Sequence, residues 1–283
     1  MITVNVARSS GFCSGVKRAI DMSLKLSREK EKVYILGDIV HNSFVVEDLE
    51  KKGIRRIKKL NRKKGATLII RAHGAPKSLF RKARAMGYKV VDATCPKVKE
   101  IYKIARRLEK KQKLIIIGDR GHDEVKGIAG QLSRKPIIIG SPKDIDKGRL
   151  SSVKRAAAVT QSTQSAENIF RVMNKLSKLI PELKLYDTTC RITRVKQEEI
   201  KALARNNDAV FVVGSGTSAN TGQLYKISKS INKNTFRIES AADLKFRGNR
   251  SFKNVGIMAG ASTPDEITAE IVDRVRNTAP PRS

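Results

Sequence analysis

The residues best suited to chemistry are the three cysteines, which occupy matching positions in the chain. Cys13, Cys95 and Cys190 each stand directly before a long basic amphipathic stretch, in GFC-SGVKRAIDMSLKLSREK, ATC-PKVKEIYKIARRLEKKQK and TTC-RITRVKQEEIKALARNN. The amino end of a helix favours a thiolate. A lone cysteine is ordinarily a small buried hydrophobe, but that interpretation fits poorly when all three occupy matching positions. An odd number also leaves at least one thiol outside any disulfide scheme.

Three converging thiolates suit either zinc or an iron-sulfur cluster. Structural zinc normally takes four protein ligands and local C-x₂-C pairs, which this sequence lacks. A fully ligated [4Fe-4S] cluster would also need four cysteines. Three cysteines therefore predict a cluster with one open iron, which can bind a substrate oxygen as a Lewis acid while the cluster delivers electrons.

All three histidines lie in loops that follow predicted strands: His41 in VHN, His73 in RAHGAP and His122 in RGHDEV. A lone histidine is more often structural, but three in equivalent loops favour a pocket that binds an anion through imidazole donors. Hydroxyl and amide donors would complete this pocket, and the candidates are Ser218 and Asn220 in GSGTSAN and Ser262 in AGASTP. Each such loop alone is equally typical of a turn with a helix cap.

Glu124 is the candidate acid, because it follows His122 by two residues in GHDEVKG. Burial would raise its pKa and allow it to deliver a proton. The alternative is a carboxylate in the first turn of a helix, interacting with the helix dipole, and the spacing does not decide between the two. We expect Asp38 and Asp123 to be structural or solvent-facing.

The elements that must position these residues are predicted to alternate between strands and helices. Short runs rich in Val and Ile (VYIL, ATLIIRA, KLIIIG, KPIIIG, AAAVT, AVFVV and VGIMAG) alternate with amphipathic stretches, which indicates an α/β fold with mostly parallel sheets. Cysteine spacings of 82 and 95 residues, and the similar passages YKVVDATC and LKLYDTTC, indicate one repeated αβ module. A three-fold repeat would bring the cysteines to one pseudo-symmetry axis.

Length and composition set outer bounds on the protein. A chain of 283 residues without a long polar linker predicts two or three intimately packed units. No stretch approaches the roughly 18 consecutive apolar residues of a membrane span, and the first residues do not resemble a secretory signal. We therefore expect a cytoplasmic protein without membrane association.

The formal net charge of +32 could attract nucleic acid, an anionic membrane surface or phosphorylated metabolites. The basic residues fall mostly in predicted helices, where a solvated face is the simplest interpretation. The absence of Trp and the five Tyr residues leave few aromatic platforms for stacking on single strands. Binding to nucleic acid is therefore a minor hypothesis.

Over nearly its whole length the chain resembles the LytB family of 4-hydroxy-3-methylbut-2-enyl diphosphate reductases. The motifs that carry this resemblance are GFCSGVKRAI, VHN, RAHG, DATCPKV, GHDEVKG, VTQST, DTTC, SANTG and AGASTP. The resemblance implies a trefoil of three pseudo-symmetric αβ domains, which we place at residues 1–95, 96–190 and 191–283. It also implies a central [4Fe-4S] cluster held by Cys13, Cys95 and Cys190, with one open iron.

The same resemblance implies the last step of the methylerythritol phosphate pathway of isoprenoid synthesis. The substrate hydroxyl would be removed reductively, yielding isopentenyl diphosphate and dimethylallyl diphosphate, with electrons from ferredoxin or flavodoxin. Glu124 would supply protons, helped by the hydroxyl of Ser162. The diphosphate would be held by a set of six residues, namely His41, His73, His122, Ser218, Asn220 and Ser262.

Three motifs depart from the family pattern. The TQTT motif reads TQST, so that the relay position is Ser162, which keeps the hydroxyl without the β-methyl group. The second serine of the SSN motif is Ala219, which removes one donor to the diphosphate. After Cys190 the family's Ala-Thr pair and Arg-Gln are replaced within RITRVKQ, where only Thr193 and Gln197 remain.

Two other functions fit parts of the sequence. A different three-cysteine cluster enzyme, such as a dehydratase, would use the open iron without net electron input. A basic nucleic-acid-binding protein with a retired catalytic core would account for the charge. Dependence on a reductant separates the first from the reductase, and salt-dependent RNA binding by cluster-free protein would favour the second.

Overall fold

The computed structural model describes residues 2–29, 32–244 and 252–277, and the outer limits of the first and third predicted domains, 1 and 283, lie outside them. The strands of these ranges are β1 (Thr3–Val6), β2 (Val33–Leu36), β3 (Ile54–Ile57), β4 (Thr67–Ile70), β5 (Lys89–Asp92), β6 (Lys113–Ile117), β7 (Ile137–Ile139), β8 (Arg155–Thr160), β9 (Glu182–Tyr186), β10 (Ala209–Val213), β11 (Thr235–Ile238) and β12 (Asn254–Ala259). The helices are α1 (Ser14–Glu29), α2 (Ser43–Lys51), α3 (Lys77–Ala85), α4 (Pro96–Glu109), α5 (Asp123–Ala129), α6 (Lys147–Leu150), α7 (Ala166–Ser177), α8 (Arg191–Asn206), α9 (Ala219–Ile231) and α10 (Asp265–Arg276).

The described strands form three sheets of four, with the orders β3-β2-β4-β5, β7-β6-β8-β9 and β1-β12-β10-β11. Every strand pair in these sheets is parallel. The inner strands β4 and β10 are buried along their whole length, as expected of parallel sheets covered on both faces. The predicted α/β class with three parallel sheets is therefore confirmed.

Each sheet repeats the same succession of strands and loops. The inner strands β2, β6 and β10 lead into loops that carry His41, His122 and Ser218. The neighbouring inner strands β4, β8 and β12 lead into the loops of His73, Ser162 and Ser262. The edge strands β5 and β9 lead into Cys95 and Cys190, and β1 leads into Cys13 in the same way.

The amino-terminal strand β1 thus completes the sheet of the third repeat. Val6 of β1 pairs with Ile257 of β12, as Asp92 of β5 pairs with Ile70 of β4. Residues 3–6 therefore belong by hydrogen bonding to the sheet formed within residues 191–283, whereas the other strands of residues 1–95 form a sheet of their own. The domain boundaries at 95 and 190 stay a prediction.

Packing divides the chain into two compact units, one of residues 18–39 and 49–190 and the other of residues 1–17, 40–48 and 191–283. The first unit holds the sheets of β2 to β9, and the second holds the sheet of β1, β10, β11 and β12. In the sheet of β6, β7, β8 and β9, Ile116 packs with Ile101 of α4 on one face, and Ile117 packs with Val172 of α7 on the other. Full burial of such an aliphatic side chain stabilises the fold by roughly 1.5–3 kcal/mol.

None of the helices in the described ranges is both long and apolar enough to cross a membrane.

Candidate active site

The three cysteines are half-buried, and no disulfide joins them within the described structure. Cys95 is the N-cap residue of α4, while Cys13 and Cys190 directly precede α1 and α8. The predicted placement of each cysteine at the start of a helix is confirmed. Their convergence on one axis stays a prediction.

The backbone amide of each cysteine is anchored in the same manner. Cys95 donates its N–H to the carbonyl of Ala72 (2.9 Å), and Cys190 donates to Ser162 (2.9 Å). Cys13 donates to the carbonyl of Ala261 (3.2 Å). The three acceptors lie in the loops that follow β4, β8 and β12, so one equivalent hydrogen bond ties each cysteine to the loop of a candidate site residue.

His73 and His122 lie together in the first compact unit. Their rings make an edge-to-face contact with centroids 5.4 Å apart. His122 is the N-cap of α5, and its Nδ1 accepts the backbone N–H of Glu124 at 3.1 Å. A neutral His122 therefore carries its proton on Nε2.

An ion pair connects the two loops that carry these histidines. Nη1 of Arg71 lies 2.8 Å from Oδ2 of Asp123, and both side chains are about one-fifth exposed. Asp123 was expected to be structural, and this contact gives it that role. Asp38 pairs instead with Arg56 at 3.0 Å on a more exposed surface.

Glu124 and Ser162 form the most tightly coupled polar pair of the site. The Glu124 side chain is buried, and its Oε1 accepts the Ser162 N–H at 2.7 Å while its Oε2 accepts the Ser162 hydroxyl at 2.6 Å. Burial raises the pKa of Glu124 above its ordinary value of 4.5, against the opposing effect of the two hydrogen bonds from Ser162. Glu124 does stand in the first turn of α5, but its hydrogen bonds lead to the loop after β8.

The loop of Ser162 is fixed to the segment before Cys190 by a reciprocal pair of threonines. Thr160 donates its N–H to Oγ1 of Thr188 (2.9 Å), and Thr188 donates its N–H to Oγ1 of Thr160 (3.0 Å). The Thr188 hydroxyl also donates to the Thr160 carbonyl (2.6 Å). These threonines belong to the TQST and DTTC motifs, whose sequence alone did not predict the pairing.

The candidate donors of the second unit lie around the start of α9 and the loop after β12. Ser218 is the N-cap of α9, and its Oγ accepts the Thr221 N–H at 3.4 Å. The hydroxyl of Ser262 donates to the carbonyl of His41 at 3.3 Å. All three, like Asn220, are at least half-buried.

Asn220 presents an amide group that is only half used. Its Oδ1 accepts the Ala261 N–H at 2.9 Å, which fixes the orientation of the side chain. Its buried Nδ2 finds no acceptor among the described residues. Because buried polar groups are normally hydrogen-bonded, this donor suits an anionic ligand. Ala219 is the first residue of α9 and offers only its backbone amide at this position.

Comparison with known proteins gives a consistent result. The profile of the LytB protein family matches residues 4–276. The 4-hydroxy-3-methylbut-2-enyl diphosphate reductase of Aquifex aeolicus is 37% identical, covering 98% of this chain and 96% of its own. The enzyme of the same name from Caldanaerobacter subterraneus subsp. tengcongensis is 36% identical, with 96% of each chain covered.

Solved structures that are similar to this chain include two diphosphate reductases. One is an (E)-4-hydroxy-3-methyl-but-2-enyl diphosphate reductase, described as the terminal enzyme of the non-mevalonate pathway, with a TM-score of 0.72, 36% identity and coverage of 98% of this chain and 100% of the other. The second, an E-1-hydroxy-2-methyl-but-2-enyl-4-diphosphate reductase from Plasmodium falciparum, has a TM-score of 0.90, 26% identity and coverage of 99% and 89%. By the match along residues 4–276 and these full-length relatives, the chain belongs to the LytB family.

Proposed function

We propose that this enzyme reduces (E)-4-hydroxy-3-methylbut-2-enyl diphosphate to isopentenyl diphosphate and dimethylallyl diphosphate, the last step of the methylerythritol phosphate pathway. The observation that carries the proposal is the equivalent anchoring of Cys13, Cys95 and Cys190. Each cysteine is tied to a loop that also bears a candidate site residue. The relatives named for this reaction support the choice of substrate.

Cys13, Cys95 and Cys190 would hold the [4Fe-4S] cluster. Three half-buried thiols at helix amino ends, outside any described disulfide, fit the sulfur donors that such a cluster takes. When bound, the cluster supplies electrons and, at the iron without a cysteine, a Lewis acid for the substrate hydroxyl.

The diphosphate would be held by side-chain donors, among them His73 and the Nε2 of His122. The orphaned Nδ2 of Asn220 is the best-defined donor of the set. His41, Ser218 and Ser262 would complete the set, each standing in a loop at the carboxyl end of a strand. Such loops place backbone amides and helix amino ends toward an anion.

Glu124 would deliver the proton that leaves with the hydroxyl group. The overall reaction takes two electrons and two protons, breaks the C–O bond, forms one C–H bond and releases water. Burial raises the pKa of this carboxyl, so it keeps its proton to a higher pH than an exposed glutamate does, and the Ser162 hydroxyl lies at 2.6 Å to extend its reach. Because the new C–H bond can form at either end of the allyl unit, two isomeric products result.

The electrons would come from a ferredoxin or flavodoxin. The net charge of +32 would attract an acidic electron-transfer protein through long-range electrostatics. Steering of this kind predicts a second-order rate of reduction that falls as ionic strength rises.

The test is anaerobic reconstitution followed by a single-turnover assay with the hydroxylated diphosphate. We expect about four irons per chain, visible charge-transfer absorption, and both products. Replacement of any one cysteine by alanine should abolish the absorption. A fully loaded protein that fails to convert the substrate in the presence of a strong reductant would refute the proposal.

A further inference from the structure

A lysine on α8 is fully buried beside the loop that carries Cys13. Lys196 is the largest of the fully buried side chains, with 0% exposure. A buried charge is costly unless its hydrogen-bonding capacity is satisfied. The ammonium group of Lys196 therefore needs hydrogen-bond acceptors inside the protein.

The ammonium group of Lys196 is satisfied by three backbone carbonyls. It donates to the carbonyls of Gly11 and Ala259, both at 3.1 Å, and also to the carbonyl of Ser9. Three acceptors match the three N–H donors of an ammonium group. Ser9 and Gly11 precede Cys13 in the same loop, and Ala259 ends β12, two residues before the carbonyl that anchors the Cys13 amide.

Glu199, one turn further along α8, holds the other side of the same loop. Its Oε2 accepts the Ser9 N–H at 2.9 Å and the Ser9 hydroxyl at 2.7 Å. The loop itself has little room to rearrange, because Gly11 has a φ of +83° and an added Cβ would lie 2.1 Å from Oδ1 of Asp265. Helix α8 therefore holds the Cys13 loop at two points. The ammonium group of Lys196 donates hydrogen bonds to the loop, and the carboxylate of Glu199 accepts hydrogen bonds from it.

The positive charge of Lys196 also acts on the cysteine. Burial lowers the pKa of Lys196 to about 8, against the opposing attraction of Cys13, Glu199 and Asp265. A group with that pKa is still protonated at neutral pH. A fixed cation within electrostatic range of a thiolate ligand favours the electron-rich state of whatever that ligand binds.

We propose that Lys196 is a positioning residue that fixes the Cys13 loop and raises the reduction potential of the cluster through its buried positive charge. This inference rests on the proposed function for its redox part and on the hydrogen bonds alone for its structural part. It goes beyond the ligand set, because the ammonium group of Lys196 donates to three backbone carbonyls.

The test compares Lys196→Gln and Lys196→Arg with Lys201→Gln. Glutamine keeps hydrogen-bond donors but removes the charge, whereas arginine keeps the charge. Lys201 lies on the same helix, is about one-third exposed and pairs with Glu198, so its replacement removes an equal charge outside the buried cluster of carbonyls.

The first readout is hydrogen–deuterium exchange of the cluster-free protein. Lys196→Gln should speed exchange in residues 9–13, whose amides include the donors to Glu199 and Ala261. Lys201→Gln should leave this segment unchanged. Unchanged exchange in folded Lys196→Gln would overturn the structural part, and this result does not depend on the presence of iron.

The second readout is the midpoint potential of the reconstituted cluster, measured by redox titration of its visible absorption. We expect Lys196→Gln to shift it to more negative values, and Lys196→Arg and Lys201→Gln to keep the wild-type value. A wild-type potential in Lys196→Gln would overturn the electrostatic part. If Lys196→Gln does not fold, a potential in Lys196→Arg that departs from the wild type by more than that of Lys201→Gln overturns it instead. A wild-type protein that takes up no cluster would refute the proposed function but not the exchange result.

Discussion

The carboxylate of Glu124 spans the amide and the hydroxyl of a single residue, Ser162, at 2.7 and 2.6 Å. Glu124 is the second residue of α5, and Ser162 follows β8, so this pair joins the segments that follow β6 and β8, two neighbouring strands of one sheet. The Ser162 carbonyl in turn accepts the amide of Cys190 at 2.9 Å. A candidate proton donor and a candidate metal ligand are thereby connected through one residue.

Glu124→Gln should retain the fold and the iron but lose turnover by at least about 100-fold. The amide can still accept the Ser162 N–H through its oxygen and donate to the hydroxyl, but it cannot release a proton. Iron content and single-turnover rates measure the two effects. Glu109→Gln is the matched control, because Glu109 is also buried but binds the backbone amides of Ser133 and Arg134. That variant should lose stability and keep its turnover once folded.

Ser162→Ala removes the hydroxyl donor while leaving the backbone amide in place. Because this donor stabilises the charged carboxylate, its loss should raise the pKa of Glu124 further and move the alkaline limb of the pH–rate profile upward. The rate should fall roughly tenfold, the equivalent of one hydrogen bond. Ser162→Thr keeps a hydroxyl at this position and should behave like the wild type. Equal profiles for the alanine and threonine variants would exclude the relay.

The pH dependence of stability should report the burial of Glu124. A carboxyl whose folded pKa is raised contributes stability that is fully present below the ordinary value of 4.5 and is lost as pH rises through the raised value. The melting temperature of the cluster-free wild type should therefore fall relative to that of Glu124→Gln as the pH rises above 4.5. Parallel curves for the two proteins would show that the pKa of the folded carboxyl is not raised.

Asp123→Asn should weaken substrate binding with little effect on stability. The ion pair with Arg71 is partly exposed, so its loss should cost about 1 kcal/mol or less. Yet the pair links the loops of His73 and His122, so KM should rise by roughly two- to tenfold while kcat changes less. Steady-state kinetics provide the measurement. Glu182→Gln breaks the exposed ion pair with Arg155 and should leave KM unchanged.

The close approach of α5 to α4 can be tested at Gly127. An added Cβ would lie 2.4 Å from the Tyr102 hydroxyl oxygen and 3.4 Å from its ring. Gly127→Ala should therefore cost about 1–3 kcal/mol through overpacking, although alanine is the better helix former. Adding Tyr102→Phe removes the clashing oxygen and should recover most of the loss. Denaturant titration of the two single variants and the double variant measures the coupling.

The inner strands were predictable because their side chains leave a continuous apolar pattern. Strands β10 (AVFVV) and β6 (KLIII) are buried almost throughout, as the unbroken apolar composition of these two runs predicts for the interior of a parallel sheet. The edge strands β3 and β11, IRRI and TFRI, carry charged residues and were not singled out. The place of β1 beside β12 depends on a contact between opposite ends of the sequence, which no local pattern encodes.

The candidate site was predictable in part, because its cysteines and histidines are few and stand in recognisable loops. Glu124 and Ser162 were both assigned, but their direct pairing was not. Lys196 was not singled out among the many lysines of the chain, although its position in the helical pattern of α8 indicates burial. The buried face of α8 includes Thr193, Lys196, Gln197 and Ile200, so the lysine occupies a core position in the helical pattern.

The three cysteine amides are held by main-chain carbonyls of Ala72, Ser162 and Ala261. Since every residue supplies a carbonyl, these positions can exchange side chains without losing the acceptor. The side chains of the loops after β4, β8 and β12 can therefore be replaced while the backbone amides of the cysteines keep their acceptors. A library randomised at these loop side chains should accordingly change substrate preference more often than it abolishes iron binding.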